Sequence, residues 1–229
     1  MQAPSKLHLF GTDRYGRDLL SRVIKGSQAS IYSTLLLVLI ITVIGTAIGI
    51  FCGWKGGKTD EILMRVSDVF LAFPGLVFAL AVAGVLGGGI QNAIIALAAI
   101  SWPKYTRIAR SQTLALKETP YMAAAKLAGD STWQLLIRHI LPNIAGPVLV
   151  TSMLDIGTMM MELAGLSFLG LGASPPTPEW GSMMSESRSF LQTAPWVTLT
   201  PGLAIFVSVV VFNLLGDTLR DYLDPKLDV

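Results

Sequence analysis

Few side chains in this sequence are equipped for chemistry, and their spacing excludes most of it. Gly57-Lys58-Thr59 has the ending of a phosphate-binding loop, but that pattern needs a glycine five residues earlier, where Cys52 stands. Cys52 lies in an apolar run that reads as helix, with no free amides to cradle a phosphate, so Lys55 to Lys58 reads as a polar turn. The two histidines, His8 and His139, belong to no HExxH and to no pair at helical spacing, and no GxSxG occurs. No catalytic set and no metal set is assigned. The single cysteine rules out a disulfide framework and a CxxC site, and reads as a small buried hydrophobe. What remains is Asp155, Met159 and Glu162, spaced i, i+4, i+7 and therefore on one helical face. An acid near the centre of a bilayer costs about 2.5–3.5 kcal/mol or more, so both carboxylates should face protein or water. They read either as the polar lining of a substrate path or as hydrogen-bonding groups between helices.

The elements that carry these residues belong to a membrane. The chain has 229 residues, 52% hydrophobic and 14% charged, and a mean hydropathy of +0.59; soluble domains carry about 25% charged residues. A net charge of +2 offers nothing to nucleic acid, and the polar first 25 residues are no signal peptide. Residues 1–29 read as an external segment with a short interfacial helix at Asp18 to Lys25. Uncharged runs then predict an all-α integral membrane protein with five transmembrane helices, at about 30–53, 69–86, 90–106, 144–168 and 197–216. The glycines at 84 and 87–89 separate the second from the third, and Ala173 to Gly181, rich in proline, forms a loop.

Charge sets the orientation. Lys104, Arg107, Arg110, Lys117, Lys126 and Arg138 crowd the stretch between helices three and four, which places it in the cytoplasm and the N-terminus outside. Lys6, Arg14, Arg17, Arg22 and Lys25 then lie outside, against the usual bias. Either Asp13 and Asp18 pair with some of them, or a helix precedes this segment in the parent protein; the second reading is preferred.

Within the cytoplasmic stretch, Pro120 to Asn143 reads as two short helices. Thr119-Pro120 starts the first, Gly129-Asp130-Ser131 breaks it, and Trp133 to Ile140 forms the second, ending before Pro142. Ala123, Ala124 and Ala125 make a side-chain-poor face suited to close approach of another protein. Topology alone explains neither these alanines nor Gly129.

This segment resembles the EAA loop of permease subunits of binding-protein-dependent ABC importers: EAA, three residues, glycine, nine residues, then I-x-L-P. Gly129 sets the register, so Ala123 stands at the glutamate position, Ala124 and Ala125 on the alanines, His139 at the isoleucine position, and Leu141-Pro142 at the end. Arg138 to Asn143, RHILPN, is similar to peptide-type members. Residues 10–22, 64–74, 167–181 and 212–227 also resemble the peptide/nickel branch, specifically the C-type permease of a heterodimeric pair. LDIGTMM at 154–160 leans toward nickel-type members.

The resemblance implies the MetI-like permease fold, usually with a further N-terminal helix, in the bacterial plasma membrane. It implies a homologous second permease, two ATP-binding subunits that hold ATP and magnesium, and an extracytoplasmic solute-binding protein. The chain itself would be no enzyme and hold no cofactor. Residues 120–142 would couple to an ATPase. The external segments would meet the binding protein, with Arg14, Arg17, Pro178, Glu179 and Trp180 as contacts. The substrate would be nickel or a di- or oligopeptide. The competing class is an ATP-independent channel or secondary transporter.

Overall fold

The computed structural model describes residues 1–223, and among them every regular element is helical. The last residues of the 212–227 block therefore lie outside the described region. The long helices are α1 (Leu19–Lys55), α4 (Ile90–Lys117), α7 (Leu141–Phe168) and α9 (Pro195–Leu223). Shorter ones are α2 (Gly57–Leu71), α3 (Gly75–Val85), α5 (Pro120–Leu127), α6 (Thr132–Gln134) and α8 (Trp180–Ser187). α1, the run from α6 through α7, and α9 are each long and apolar enough to cross a membrane, and α2 with α3 makes a fourth, bent span. α4, expected as a span, is long enough but falls short of the others in apolarity, with its cations gathered in its second half.

Four features differ from the sequence reading. No separate interfacial helix precedes the first span: Asp18 caps α1 by accepting from the Ser21 amide, and the helix runs on through Gly26. Gly26 is not a break but a seat, since a Cβ there would lie 3.2 Å from the Trp180 ring. The second span is broken, with α2 and α3 meeting at 89°. Pro74 lacks an amide and disfavours helical backbone at Phe73, which stops α2. The helix expected to end before Pro142 instead passes through a π-helical turn (Leu135–Ile140) directly into α7; proline is tolerated in the first turn of a helix. Finally, the loop after α7 is partly ordered as α8.

α1 and α4 lie parallel and form the centre of the bundle. Gly45, Gly49 and Gly53 bring the backbones together: a Cβ on Gly45 would stand 2.6 Å from Tyr105 Cβ, on Gly49 2.7 Å from Ala109 Cβ, and on Gly53 2.8 Å from Thr113 Cβ. Between two apolar helices in lipid, such close packing replaces the hydrophobic drive that is missing there. Thr106 adds a hydrogen bond to the Gly45 carbonyl at 3.0 Å. Leu37, Ile41, Ala83, Leu97 and Leu163 fill the space between α1, α3, α4 and α7. This arrangement puts the 118–143 stretch at one end of the bundle and residues 1–18 with α8 at the other.

Candidate functional site

The polar centre of the bundle lies where α7 crosses α4. Asp155 is buried; Lys104 Nζ donates to its Oδ1 at 2.5 Å and Tyr105 Oη to its Oδ2 at 2.9 Å. Lys104 remains half exposed, so this ion pair has one wet end. Glu162, two turns along α7, is partly exposed and has no hydrogen-bond or ion-pair partner among the described residues. Met159, expected between them on the same face, is buried among the core residues of α7 instead. The polar groups gathered at this crossing are Lys104, Asp155 and Glu162. The sequence held no signal for Lys104 and Tyr105, which lie about fifty positions away on a different helix.

At the end of the bundle expected to face the cytoplasm, the loop is built as a folded unit. Thr119 Oγ1 accepts from the Met122 amide to start α5, Gly129 turns the chain at φ 93°, and Ser131 with Gln134 forms a reciprocal cap on α6. Met122, Leu135, Ile140 and Ile144 bury against Ala109, seating the loop on the end of α4. The Lys117 ammonium donates to the Trp54 carbonyl at 2.6 Å, and Lys126 lies over the Trp54 ring at 5.3 Å, which ties α5 to the end of α1. Arg110 is bidentate on Asp60, at 2.5 and 2.6 Å, and Arg107 holds Asp68 at 2.6 Å, pinning α2 beside them.

The expected coupling residues present themselves unevenly. Ala123, Ala124, Gly129, Leu141 and Pro142 are exposed, whereas Ala125 and His139 are partly buried. Leu127 is 90% exposed and Trp133 69%, so large apolar side chains face outward beside the alanines; a clustered apolar surface of this kind marks a contact with another protein. His139 engages two partners, Tyr121 Oη at 2.5 Å and Asp130 Oδ2 at 2.7 Å.

The opposite end corrects the expected binding-protein contacts. Glu179 is 1% exposed: its carboxylate caps α8 by accepting from the Gly181 and Ser182 amides at 2.9 and 2.8 Å, and Ser30 of α1 donates to it. Trp180 is equally buried, its indole N–H donating to the Val23 carbonyl at 3.0 Å. Both are used inside the fold and offer no surface. Arg17 is held by Asp13 at 2.6 Å while also stacking on Tyr15, whose ring the exposed Arg14 flanks from 4.6 Å. Asp13 also reaches Arg22 at 3.6 Å, and Asp18 pairs with His8 at 3.0 Å, so the external acids do meet basic neighbours. Arg14 stays exposed and Pro178 partly so.

Comparison with known proteins places this helical bundle, with its structured loop at one end and an ion pair in its interior. Residues 45–229 match the family described as binding-protein-dependent transport system inner membrane component. The chain belongs to this family. It is 45% identical over 226 residues to the glutathione transport system permease protein GsiD of Pectobacterium atrosepticum, covering 99% of this chain and 75% of that protein. To the dipeptide transport system permease protein DppC of Alkalihalophilus pseudofirmus it is 42% identical over 227 residues, with the same coverage. GsiD of an Escherichia coli strain is 48% identical over 224 residues, 98% of this chain and 74% of that one. Among solved structures, an inward-facing form of the MetNI methionine ABC transporter matches with a TM-score of 0.70 at 17% identity, covering 90% of this chain and 97% of that chain. An amino acid ABC transporter solved with histidines gives 0.56 at 18% identity, covering 90% and 99%. The permease is thus a multi-pass inner-membrane component of an ATP-driven importer of the peptide branch, with the expected all-helical fold, and a transport component rather than an enzyme. Membership sets aside the channel and secondary-transporter reading. Nickel appears in none of these names.

Proposed function

We propose that this permease forms half of a translocation path for short peptides, pairing with a homologous permease and driven by two cytoplasmic ATP-binding subunits that hold ATP and magnesium. An extracytoplasmic solute-binding protein would deliver the substrate at the face carrying Arg14 and Pro178. Residues 120–142 would sit in a groove on one ATPase subunit and turn its closure into movement of α7. The observation that carries this reading is continuity. From Thr132 the chain runs through the π turn into α7 without a loop, so the outward-facing segment and the Asp155–Glu162 face belong to one rod. Fourteen residues separate Leu141 from Asp155, about 21 Å along the axis. Each end of that rod can then report the state of the other, which is the physical content of coupling. Peptide is favoured over nickel because the similar permeases bear dipeptide and glutathione names.

Gly129→Asp tests the loop. An L-residue is strained at φ 93°, and the new carboxylate would sit on the docking surface. Uptake of a labelled dipeptide by cells producing the whole importer should be lost while immunoblots show the permease in the membrane. Normal uptake by that variant overturns the coupling role. Concentrative uptake that survives a catalytically dead ATPase subunit overturns the energy source.

A further inference from the structure

We infer that Tyr121, His139 and Asp130 form a side-chain clasp that holds the two arms of the coupling loop at a fixed angle, so that the loop moves as one body with α7. The inference rests on the coupling role of this loop. Without the clasp, the arms meet at Gly129, which is exposed and has no atom within 4 Å of where its Cβ would be. At the turn itself the backbone bonds are local, Gly129 to the Lys126 carbonyl at 3.1 Å and Asp130 to the Ala125 carbonyl at 3.2 Å, and beyond it the arms share the apolar contact of Met122 and Ala125 with Leu135, Leu136 and Ile140. Apolar contact is non-directional and fixes no angle, and a joint that bends would absorb an ATPase movement instead of passing it on.

The clasp spans the joint. Tyr121 stands on α5, Asp130 at the elbow and His139 on the π turn that leads into α7. An ionised Asp130 only accepts, so Nε2 of His139 carries a hydrogen toward it; in the neutral ring Nδ1 is then the acceptor and takes the Tyr121 hydroxyl. The two rings also meet edge to face, with centroids 5.2 Å apart. Both nitrogens are therefore committed, one to α5 through Tyr121 and the other to the elbow through Asp130. The π turn is a further sign that this position is built for a purpose, since such turns are kept mostly where function needs them. An isoleucine in place of His139 would pack against one arm and bind neither.

The test uses the complete importer in proteoliposomes, with ATP hydrolysis and dipeptide uptake measured on the same preparation. Tyr121→Phe removes one hydroxyl; His139→Phe keeps a ring and removes both nitrogens. Each should leave the incorporated amount unchanged and lower the substrate moved per ATP hydrolysed, by about fivefold for a single lost hydrogen bond. Adding Tyr121→Phe to His139→Phe should change nothing more, because the partner is already gone. Asp130→Asn, which retains an acceptor oxygen, should stay closer to the parent ratio than Asp130→Ala. A parent ratio in both Tyr121→Phe and His139→Phe, or losses that simply add in the double variant, overturns the clasp. If His139→Phe is not incorporated, Tyr121→Phe and the two Asp130 variants decide by the same ratio. Gly129→Asp separates the layers: normal uptake there removes the coupling role itself, whereas its inactivity alongside a fully coupled Tyr121→Phe removes the clasp alone.

Discussion

An acid in an apolar helix is least costly when its partners come from the protein, and Asp155 has two of them on α4. Its role cannot be that of a bare anion waiting for a cation, because Lys104 already occupies one oxygen. Breaking the pair leaves a buried charge without its partner, at a cost of about 1–3 kcal/mol once the wet lysine end is allowed for. Lys104→Met alone should therefore lower both the amount of permease in the membrane and its melting temperature in detergent. The double replacement Lys104→Met with Asp155→Asn should recover both, since it removes the two charges together and keeps an oxygen to accept from the buried Tyr105 hydroxyl. Uptake decides what the pair is for: uptake that stays lost in the stable double variant marks a group in the path, and uptake that recovers marks a group that only joins helices. The face itself was visible in the spacing of Asp155 and Glu162. Its partners were not, because a contact between residues fifty positions apart follows no helical period.

At the scale of helices, punctuation was legible and packing was not. Thr119-Pro120, Gly129 and Gly56-Gly57 each act locally, through a cap, a fixed φ or a positive φ, and each falls where the sequence placed a boundary. Gly45, Gly49 and Gly53 were overlooked because their purpose lies on another helix: they form the groove that receives Tyr105, Ala109 and Thr113. The break at Pro74 was missed for the opposite reason, an uncharged run having been read as continuous helix across a proline. The buried glutamate and tryptophan at the start of α8 run against expectation because a polar, proline-rich stretch promises exposure, while Glu179 is spent capping a helix against Ser30. The glycine stripe makes a sharp prediction. Gly49→Leu would drive a branched side chain into Ala109, where even a Cβ would stand at 2.7 Å. Overpacking of tight interiors costs about 1–3 kcal/mol or more, and here it separates the central helix pair. The variant should be degraded before assembly, seen as loss of membrane-inserted protein in a pulse-chase; a stable, active Gly49→Leu would show that α1 and α4 tolerate separation.

For the molecule as a whole, the two ends are built differently. The end that carries residues 118–143 presents apolar side chains outward, and the end that carries residues 1–18 draws its charges inward into a network of Asp13, Arg17, Arg22 and Glu186. Burial pushes the Asp13 carboxyl up, but the Arg17 and Tyr15 amides and the Arg17 guanidinium outweigh it and hold the group below its ordinary 3.8. A depressed carboxylate stabilises the fold above the unfolded value and ceases to do so as pH falls through the lower folded one. The protection of the Tyr15 and Arg17 amides, measured against their intrinsic exchange at each pH, should thus hold from neutral pH down to 3.8 and fall only below it; in Asp13→Asn it should be reduced throughout. Protection lost well above that value would remove Asp13 as the anchor of the external segment. The single thiol has a consequence of a practical kind. Cys52 is 0% exposed, on the α1 face turned toward the bundle, so a maleimide added to the folded permease finds no native target. A cysteine placed at Leu127 would be the sole reactive handle on the chain, ready to carry a spin label or a crosslinker. With it, the distance from the loop to an ATPase subunit becomes measurable turnover by turnover.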